Sequence, residues 1–301
     1  MAHEADVSAT DDPAQPSAAR IYDYLLGGKD NYAVDRAAAD RVLAVAPDQR
    51  NLARANRAFA IRALRVLADS GIGQFIDLGT GFPTSPSVHE VARLAIPDAP
   101  VVYVDYDPIV HAHNTALLAR DDRVATIRAD IRQPQPILDH PEVSRLIDFS
   151  RPVGVLCVSV LHLVSDEEDP AGIVAQFAGR MAPGSCLVLS QFAAESDEAA
   201  MTELRAVAKG TPVETYFRPR PQIQRFFDGF ELLEPGLTSV VSTSEVGYVI
   251  TSTDDLSVRD DISPAGGTTR YQASAALAGY LAAHPAEAGG LQVMPAYEAA
   301  T

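Results

Sequence analysis

An acidic residue followed by paired glycines is the first feature of this sequence that could bind a ligand. Asp77 ends a short apolar run, and Gly79, Thr80 and Gly81 follow it before a helix that we expect to begin near Pro86. Glycines permit a tight turn in which the backbone can approach a bound nucleoside closely. The pattern is weak evidence on its own, because a strand followed by Gly-x-Gly is often only a turn.

A second acidic residue strengthens the case for a nucleoside ligand. Asp105 ends the next apolar run and is followed by Tyr106. An acid at the end of that strand can accept hydrogen bonds from both ribose hydroxyls of an adenosine ligand. Asp107 precedes Pro108 and fits a helix N-cap instead, since proline favours the first helical position. We therefore assign Asp105 and Tyr106 to the ligand and Asp107 to the cap.

The residues around these acids favour an adenosine ligand without phosphates. A dinucleotide turn needs a third small residue and a free N–H near the pyrophosphate, but Pro83 has no N–H. Asp130 could accept a hydrogen bond from the adenine amino group beside the apolar Ile131, and Ser159 ends the fourth apolar run. The ligand we expect is S-adenosyl-L-methionine (SAM), with S-adenosyl-L-homocysteine (SAH) as product. A NAD-linked oxidoreductase is disfavoured.

A parallel sheet must position these acids, because β-branched apolar runs alternate with helical stretches along the chain. Such alternation predicts βαβ units and an α/β fold with helices on both faces of the sheet. The predicted strands are residues 74–78, 100–105, 124–128, 152–159, 185–190 and, as a sixth candidate, 230–233. The predicted helices are residues 87–96, 108–120, 138–149, 169–181, 198–209 and 221–227.

The segments on either side of this core have different patterns. The acidic, proline-rich residues 1–16 predict a disordered tail, and residues 17–71 predict three helices, the first capped by Ser17 and stopped by Gly27 and Gly28. Residues 72–237 form the expected ligand-binding core. Residues 238–301 are expected to complete the sheet with a poorly defined pattern: a strand pair within 239–251, a loop at 253–269, and a strand or helix at 271–283.

Composition limits the partners of the chain. Forty acidic residues against 24 basic ones give a formal net charge of −16, whereas a partner bound through phosphates needs a broad basic face. No apolar stretch approaches the roughly 20 residues of a membrane span. Cys157 and Cys186 lie far apart in apolar runs, which predicts buried free thiols. We expect a cytoplasmic protein with a small-molecule substrate, no metal, no nucleic acid and no membrane contact, and we leave a homodimer open.

Several segments together resemble a known protein family. They include the stretch Tyr-Asp-Tyr-Leu-Leu-Gly-Gly-Lys-Asp at residues 22–30, which is highly specific. The matching segments are residues 19–32, 53–59, 75–84, 89–90, 101–110, 161–162, 217–220 and 225–229. The chain resembles the actinobacterial SAM-dependent methyltransferases formerly catalogued as a domain of unknown function, over roughly residues 17–237.

The resemblance implies a Rossmann-like class I methyltransferase fold with an N-terminal helical lid. Some related enzymes methylate indole carbons of tryptophan-derived cyclic dipeptides, so such a secondary-metabolism product is one candidate substrate. The chain departs from the family at Ser87, where we expect asparagine, and it contains no tryptophan. The segment after residue 238 is not recognisable either, so substrate recognition or oligomer contacts there could differ.

The lid implied by the resemblance supplies candidates for the methionine end of SAM and for the substrate. Lys29 could meet the SAM carboxylate, and Asn31 or Tyr32 could contact polar edges of SAM or substrate. Tyr22 belongs to the same segment. Arg57 could line the pocket, or it could belong to a solvated stripe with other arginines of its helix. Without the resemblance, the glycine segment would be taken as a plain turn between helices.

Residues beyond the fourth and fifth strands are candidates for the acceptor side. His162 follows a buried strand at the open edge, so it could touch the substrate as a general base or as an orienting group. Tyr216 and Phe217 could form an aromatic wall for a flat substrate, or they could be plain core. The expected reaction is in-line transfer of the sulfonium methyl, which depends mainly on alignment. The alternative is a non-catalytic SAM-binding or nucleoside-binding regulator on the same fold.

Overall fold

The five-stranded parallel sheet is the element that brings the predicted ligand residues to one edge. Its strands lie in the order β3-β2-β1-β4-β5 and all pair in parallel. The strands are β1 (Phe75–Leu78), β2 (Val101–Asp105), β3 (Val124–Arg128), β4 (Gly154–Val158) and β5 (Cys186–Ser190). Because β1 lies between β2 and β4, the chain runs outward from it in both directions, and a ligand crevice is expected where that direction changes.

The computed structural model describes residues 15–119, 121–194, 202–203, 205–206, 209, 213–233, 236–240, 248–252 and 291–295. The chain divides into two compact units, Met1–Glu234 and Pro235–Thr301. Most of the predicted tail and of the predicted helix at 198–209 lies outside the described residues. The segments 253–269 and 271–283 lie outside them entirely.

Helices cover the strands, as the alternating pattern predicts. The helices whose bounds lie within the described residues of the first unit are α1 (Ala18–Leu26), α2 (Ala33–Val45), α3 (Gln49–Asp69), α4 (Val88–Ala95), α5 (Pro108–Leu117), α6 (Pro134–Leu138), α7 (Pro141–Leu146), α8 (Pro170–Ala178) and α9 (Arg220–Gln224). Short 3-10 turns occupy Leu161–Leu163, Asp166–Glu168 and Arg225–Phe227. The α/β prediction is confirmed, and no helix of the described residues is long and apolar enough to span a bilayer.

Two predicted elements are wrong. The single helix expected at 138–149 is two short helices, because Pro141 begins a new helix whose N-cap is His140. The sixth strand expected at 230–233 does not form, and Leu232 and Leu233 are exposed. An apolar run with exposed side chains has no sheet face to cover it.

Helix α3 joins the sheet to the first two helices. Its carboxyl-terminal half packs Leu64 and Leu67 against Phe75 of the central strand. Its amino-terminal half packs Ala53 against Leu25 and Ala39 of α1 and α2. Helix α3 therefore contacts both the sheet and the first two helices. Between these two sets of contacts, Asn56 donates a hydrogen bond to Ser159, the residue that follows β4.

The second unit contains an antiparallel pair, β6 (Tyr248–Ser252) and β7 (Leu291–Pro295), in a sheet of its own. Of the strand pair expected within 239–251, β6 forms a strand and pairs with 291–295, whereas residues 241–247 lie outside the described residues. The described strands of 238–301 also do not complete the five-stranded sheet. A pairing partner about 40 residues away cannot be recognised from local alternation, which reports strands but not their neighbours.

Candidate functional site

The glycine turn after β1 is shaped by close backbone packing. Gly79 and Gly81 have φ values of 69° and 65°, a region that favours glycine. A Cβ on Gly79 would lie 2.4 Å from Cγ2 of Val160, so the turn approaches the end of β4 closely. At Gly81 a Cβ would meet nothing within 4 Å. The turn is held by Thr80 Oγ1, which donates to the carbonyl of Asp77 at 2.9 Å.

Two buried carboxylates lie beside this turn, at the ends of β1 and β2. Burial raises the pKa of Asp77 to about 7, with Arg57 opposing the rise and Asp105 adding to it. Burial likewise raises the pKa of Asp105 to about 6. Asp105 accepts hydrogen bonds from the backbone N–H groups of Gly81 at 2.9 Å and Asp107 at 3.0 Å. The site thus concentrates desolvated acceptors, which suits a ligand with hydroxyl or cationic groups.

Asp107 has the capping role that the sequence predicts. Its Oδ1 accepts hydrogen bonds from the backbone N–H groups of Ile109 at 2.8 Å and Val110 at 3.3 Å. Its other oxygen accepts from Ser17 Oγ at 2.9 Å. Ser17 is the N-cap residue of α1 but does not cap it through its side chain. Its hydroxyl instead ties α1 to the end of β2.

The third strand end carries a polar cluster that the sequence only partly indicated. Asp130 is half-buried and accepts hydrogen bonds from the backbone N–H and from Nε of Arg132, both at 2.9 Å. Arg132 also contacts Glu168 through Nη1 at 3.1 Å. Ile131 is buried, and burial raises the pKa of Tyr106 to about 12. Arg132 was missed because its partner Glu168 lies far along the chain.

A chain of hydrogen bonds connects α1, α3 and the end of β4. The side-chain amide of Asn56 donates to Ser159 Oγ at 2.7 Å and to Tyr22 Oη at 3.0 Å. Tyr22 Oη in turn donates to the carbonyl of Ala53 at 3.0 Å. Ser159 has a φ of 56°, unusual for a residue with a side chain, and its N–H donates to Ser190 Oγ at 2.9 Å. Tyr22 and Ser159 are thus brought together.

The turn between α1 and α2 uses most of its polar groups internally. Asn31 Nδ2 donates to Asp23 Oδ2 at 2.8 Å, and its Oδ1 accepts from Arg36 Nη1 at 3.0 Å. Tyr32 is exposed and lies under the guanidinium of Arg20. Lys29 is exposed on the same turn. Both ends of the Asn31 side-chain amide are therefore used by neighbouring residues, which indicates a structural role for Asn31 in the turn.

His162 lies in an aromatic cluster at the ends of β4 and β5. Its ring centroid is 4.5 Å from that of Phe192, which is 5.5 Å from that of Phe217. Burial, with a smaller effect of Arg218, lowers the pKa of His162 to about 3. Its Nδ1 is buried without a hydrogen-bond partner. Its carbonyl accepts from the N–H of Tyr216 at 2.7 Å, so Tyr216 and Phe217 lie beside it.

Arg218 is a buried residue that the sequence did not single out. It is 1% exposed, and it donates to the carbonyls of Leu161 at 2.9 Å and Val164 at 2.6 Å. Its Nε donates to Asp166 Oδ1 at 2.8 Å. The residue therefore fixes the segment after β4 that carries His162. Two of the acceptors of its side chain are backbone carbonyls, which cannot be recognised from the sequence.

A polar cavity of about 420 Å³ opens next to this segment. It is lined by Arg132, Leu163, Ser165, Glu167, Glu168, Glu214 and Tyr216. Within the described part of the chain, no group of His, Cys, Asp and Glu side chains is arranged to hold a metal ion. Both cysteines lie in the described part of the chain and are free thiols. Cys157 is buried and Cys186 is half-buried.

Known proteins resemble this chain along most of its length. Residues 4–254 match the model of a protein family described as S-adenosyl methyltransferase. The solved structure of a putative methyltransferase from Thermobifida fusca is 41% identical, with a TM-score of 0.73, over 78% of this chain and 87% of that one. A DUF574 family protein from Streptomyces avermitilis is 39% identical, with a TM-score of 0.72, over 75% and 87%. A search of curated proteins gave no match.

Proposed function

The chain belongs to the family of S-adenosyl methyltransferases, and on that premise we propose that it methylates a small aromatic molecule held at the ends of β4 and β5. As a SAM-dependent methyltransferase it converts SAM to SAH. The identity of the acceptor, and the residues that bind SAM and the acceptor, are proposals.

The residues at the sheet edge fit SAM. Gly81 borders open space, where a Cβ would meet nothing, and the buried Asp105 offers lone pairs for the ribose hydroxyls. Arg57 Nε is buried and has no hydrogen-bond partner. A ligand could supply the acceptor that it lacks. SAM carries an activated methyl group on its sulfonium, so the protein needs mainly to align donor and acceptor and to exclude water.

The aromatic cluster carries the proposal for the acceptor. Asp105 ends β2 and Asp130 lies just after β3, so a ligand with its adenosine on that side extends past β1 towards β4 and β5. There the rings of His162, Phe192 and Phe217 lie in contact. Clustered aromatic rings favour flat, apolar acceptors. An indole of a tryptophan-derived cyclic dipeptide is one member of that class.

The state of His162 favours an orienting role over proton abstraction. With its pKa lowered to about 3, the ring is neutral at pH 7 and is a weak base. Its buried Nδ1 can still hold an acceptor by one hydrogen bond. An acceptor whose nucleophilic atom needs no strong base, such as an electron-rich ring carbon or a neutral amine, suits this arrangement.

The charge of the chain supports a small molecule rather than a nucleic acid. A formal net charge of −16 repels a phosphate backbone. The homodimer and the cytoplasmic location stay predictions.

A mass-shift screen with trideuteromethyl-SAM tests the proposal. The panel contains indoles, tryptophan-derived cyclic dipeptides, phenols, aliphatic amines and transfer RNA, and a shift on aromatic members alone is the expected result. Phe192→Ala should lower that transfer by about tenfold while leaving SAH affinity unchanged, because Phe192 belongs to the aromatic cluster and not to the acids at the ends of β1, β2 and β3. Transfer to RNA or to aliphatic amines alone would overturn the aromatic acceptor.

A further inference from the structure

We propose that Tyr22 and Asn56 fix the hydroxyl of Ser159 as a hydrogen-bond donor to the methyl acceptor. The acceptor then carries a hydrogen-bond-accepting atom, such as a carbonyl oxygen, beside its aromatic ring. The inference rests on the proposed function, because it adds a chemical feature to the same aromatic acceptor. The sequence suggested Tyr22 for direct contact with the substrate and Ser159 for the cofactor. Here Ser159 contacts the substrate, and Tyr22 and Asn56 position it.

The backbone of Ser159 has an uncommon conformation. Its φ of 56° lies in the left-handed region, which costs free energy for a residue with a side chain. Its N–H donates to Ser190 Oγ at 2.9 Å, and its Oγ accepts from Asn56 Nδ2 at 2.7 Å. Glycine would adopt this backbone without strain. Strained residues that are held by several contacts cluster at functional sites, which indicates a role for the Ser159 side chain.

The single proton of Tyr22 defines the orientation of the Asn56 amide. Tyr22 Oη donates to the carbonyl of Ala53 at 3.0 Å. Burial raises the pKa of Tyr22, so the phenol keeps that proton at neutral pH. With its proton committed, Tyr22 can only accept from Asn56. The Asn56 atom that lies 3.0 Å from Tyr22 Oη must therefore be the amide nitrogen.

The same nitrogen defines the direction of the Ser159 hydroxyl. Asn56 Nδ2 lies 2.7 Å from Ser159 Oγ and donates to it. The proton of Ser159 must then point away from Asn56, since a hydroxyl has one proton to donate. No residue in the described part of the chain accepts that proton. Because Ser159 is only half-buried, a ligand at the sheet edge can supply the acceptor atom.

The segment after β4 places this donor where methyl transfer must occur. Val160 follows Ser159, and its Cγ2 would lie 2.4 Å from a Cβ on Gly79, so the segment borders the glycine turn. The ring of His162, three residues after Ser159, belongs to the aromatic cluster. The segment therefore borders both the proposed cofactor site and the proposed acceptor site.

The charge of the methyl donor favours the acceptor as the partner of this hydroxyl. The reacting end of SAM is a cationic sulfonium, which offers no hydrogen-bond acceptor. A neutral hydroxyl that donates can instead orient a carbonyl or ether oxygen of the second substrate, so that its nucleophilic atom faces the methyl group. This arrangement agrees with a neutral His162, because both groups orient the acceptor and neither has to remove a proton from it.

Two indoles of nearly the same shape test the inference. They are 3-acetylindole, which has a carbonyl oxygen, and 3-isopropylindole, which lacks it. Their affinities for the SAH-saturated protein are measured by ligand-observed NMR titration. The wild type should bind the ketone about fivefold more tightly, as expected for one neutral hydrogen bond. Ser159→Gly should abolish this preference, because glycine keeps the backbone conformation and lacks the hydroxyl.

Variants of the two positioning residues test the relay. Asn56→Asp should also abolish the preference at pH 8, because a carboxylate only accepts and Ser159 then donates to it. Tyr22→Phe should reduce the preference only in part, since the Asn56 amide keeps its place but is free to turn over. The SAH affinity, measured by calorimetry, should stay within about twofold in all of these variants.

Two serine variants separate the hydroxyl from folding. Ser159→Ala lacks the hydroxyl but keeps a strained backbone, so it should lose the same preference while being less stable in urea than Ser159→Gly. Ser144→Ala removes an exposed hydroxyl of α7 and should change neither the preference nor the SAH affinity.

The outcomes distinguish this inference from the proposed function. Equal affinities of the wild type for the two indoles, or a preference that persists in Ser159→Gly, would overturn the inference and leave the aromatic acceptor intact. A loss of SAH affinity in Ser159→Gly as large as the loss of ketone affinity would assign the hydroxyl to the cofactor and overturn it as well. A wild type that binds neither indole would contradict the aromatic acceptor itself, and the inference with it.

Discussion

Replacing Asp77 with asparagine should stabilise the ligand-free protein at alkaline pH. Asp77 is buried at the end of β1, and its pKa rises from 3.8 to about 7, chiefly because burial disfavours the charged form. The folded state therefore binds this proton more tightly than the unfolded state does. Stability from this group is fully present below pH 4 and is lost as the pH rises through 7.

The size of the effect follows from that rise in pKa. At about 1.4 kcal/mol per pH unit, it corresponds to roughly 4 kcal/mol of destabilisation once the carboxylate is fully ionised. Asparagine has the same shape without the charge, but it leaves Arg57 less compensated, and local relaxation lowers the penalty in the wild type. We therefore expect a net gain of about 2 kcal/mol in the free energy of unfolding at pH 8.

Urea denaturation of wild type and Asp77→Asn at pH 8, 6.5 and 5 measures this difference. The gain should shrink steadily as the pH falls, because the wild-type carboxyl becomes protonated and neutral. Asp139→Asn is the control: Asp139 is exposed and its pKa is lowered by hydrogen bonds from Gln135 and Arg180, so no gain at pH 8 is expected. A difference between Asp77→Asn and wild type that is constant from pH 5 to 8 would refute the reasoning.

Two further substitutions test other parts of the site. Asp105→Ala should weaken SAH by about 1–3 kcal/mol in calorimetry, because the ribose hydroxyls lose a charged acceptor. An unchanged affinity in a folded variant would mean that another acid binds the ribose. Arg218→Met should lower the free energy of unfolding by about 3 kcal/mol in urea, because the carbonyls of Leu161 and Val164 lose their donors. Partial recovery in Arg218→Lys is expected, and a loss under about 1 kcal/mol would contradict the role of Arg218.

The strands could be predicted because each is a short β-branched run buried on both faces. The five core strands begin and end within two residues of their predicted limits. The acids at their ends could be predicted for the same reason, since the residue that follows a parallel strand lies at the ligand edge. The prediction of a strand at 230–233 was wrong because local hydrophobicity does not show whether another element covers the run.

The contacts that organise the site could not be predicted from local sequence. Asn56 and Ser159 are 103 residues apart, and Arg218 and Leu161 are 57 apart. Such pairs form only after the sheet order brings β4 beside β1, and an acceptor that is a backbone carbonyl has no side chain to reveal it. The acids at the ends of consecutive strands could therefore be predicted more completely than the contacts around the end of β4.

The paired glycines of the first turn show how a sequence pattern can be explained by packing instead of motion. Gly27 ends α1 with a φ of 89°, and a Cβ on Gly28 would lie 1.9 Å from Oδ1 of Asp23, so both glycines are required by the turn itself. On α2, the fully buried Asp35 accepts from Arg20 Nε at 2.7 Å. Moving α1 away from α2 would separate this buried ion pair. Breaking a buried ion pair strongly destabilises a protein, because it leaves uncompensated charges. These contacts favour helices that form a fixed wall of the site over a lid that opens at the glycines.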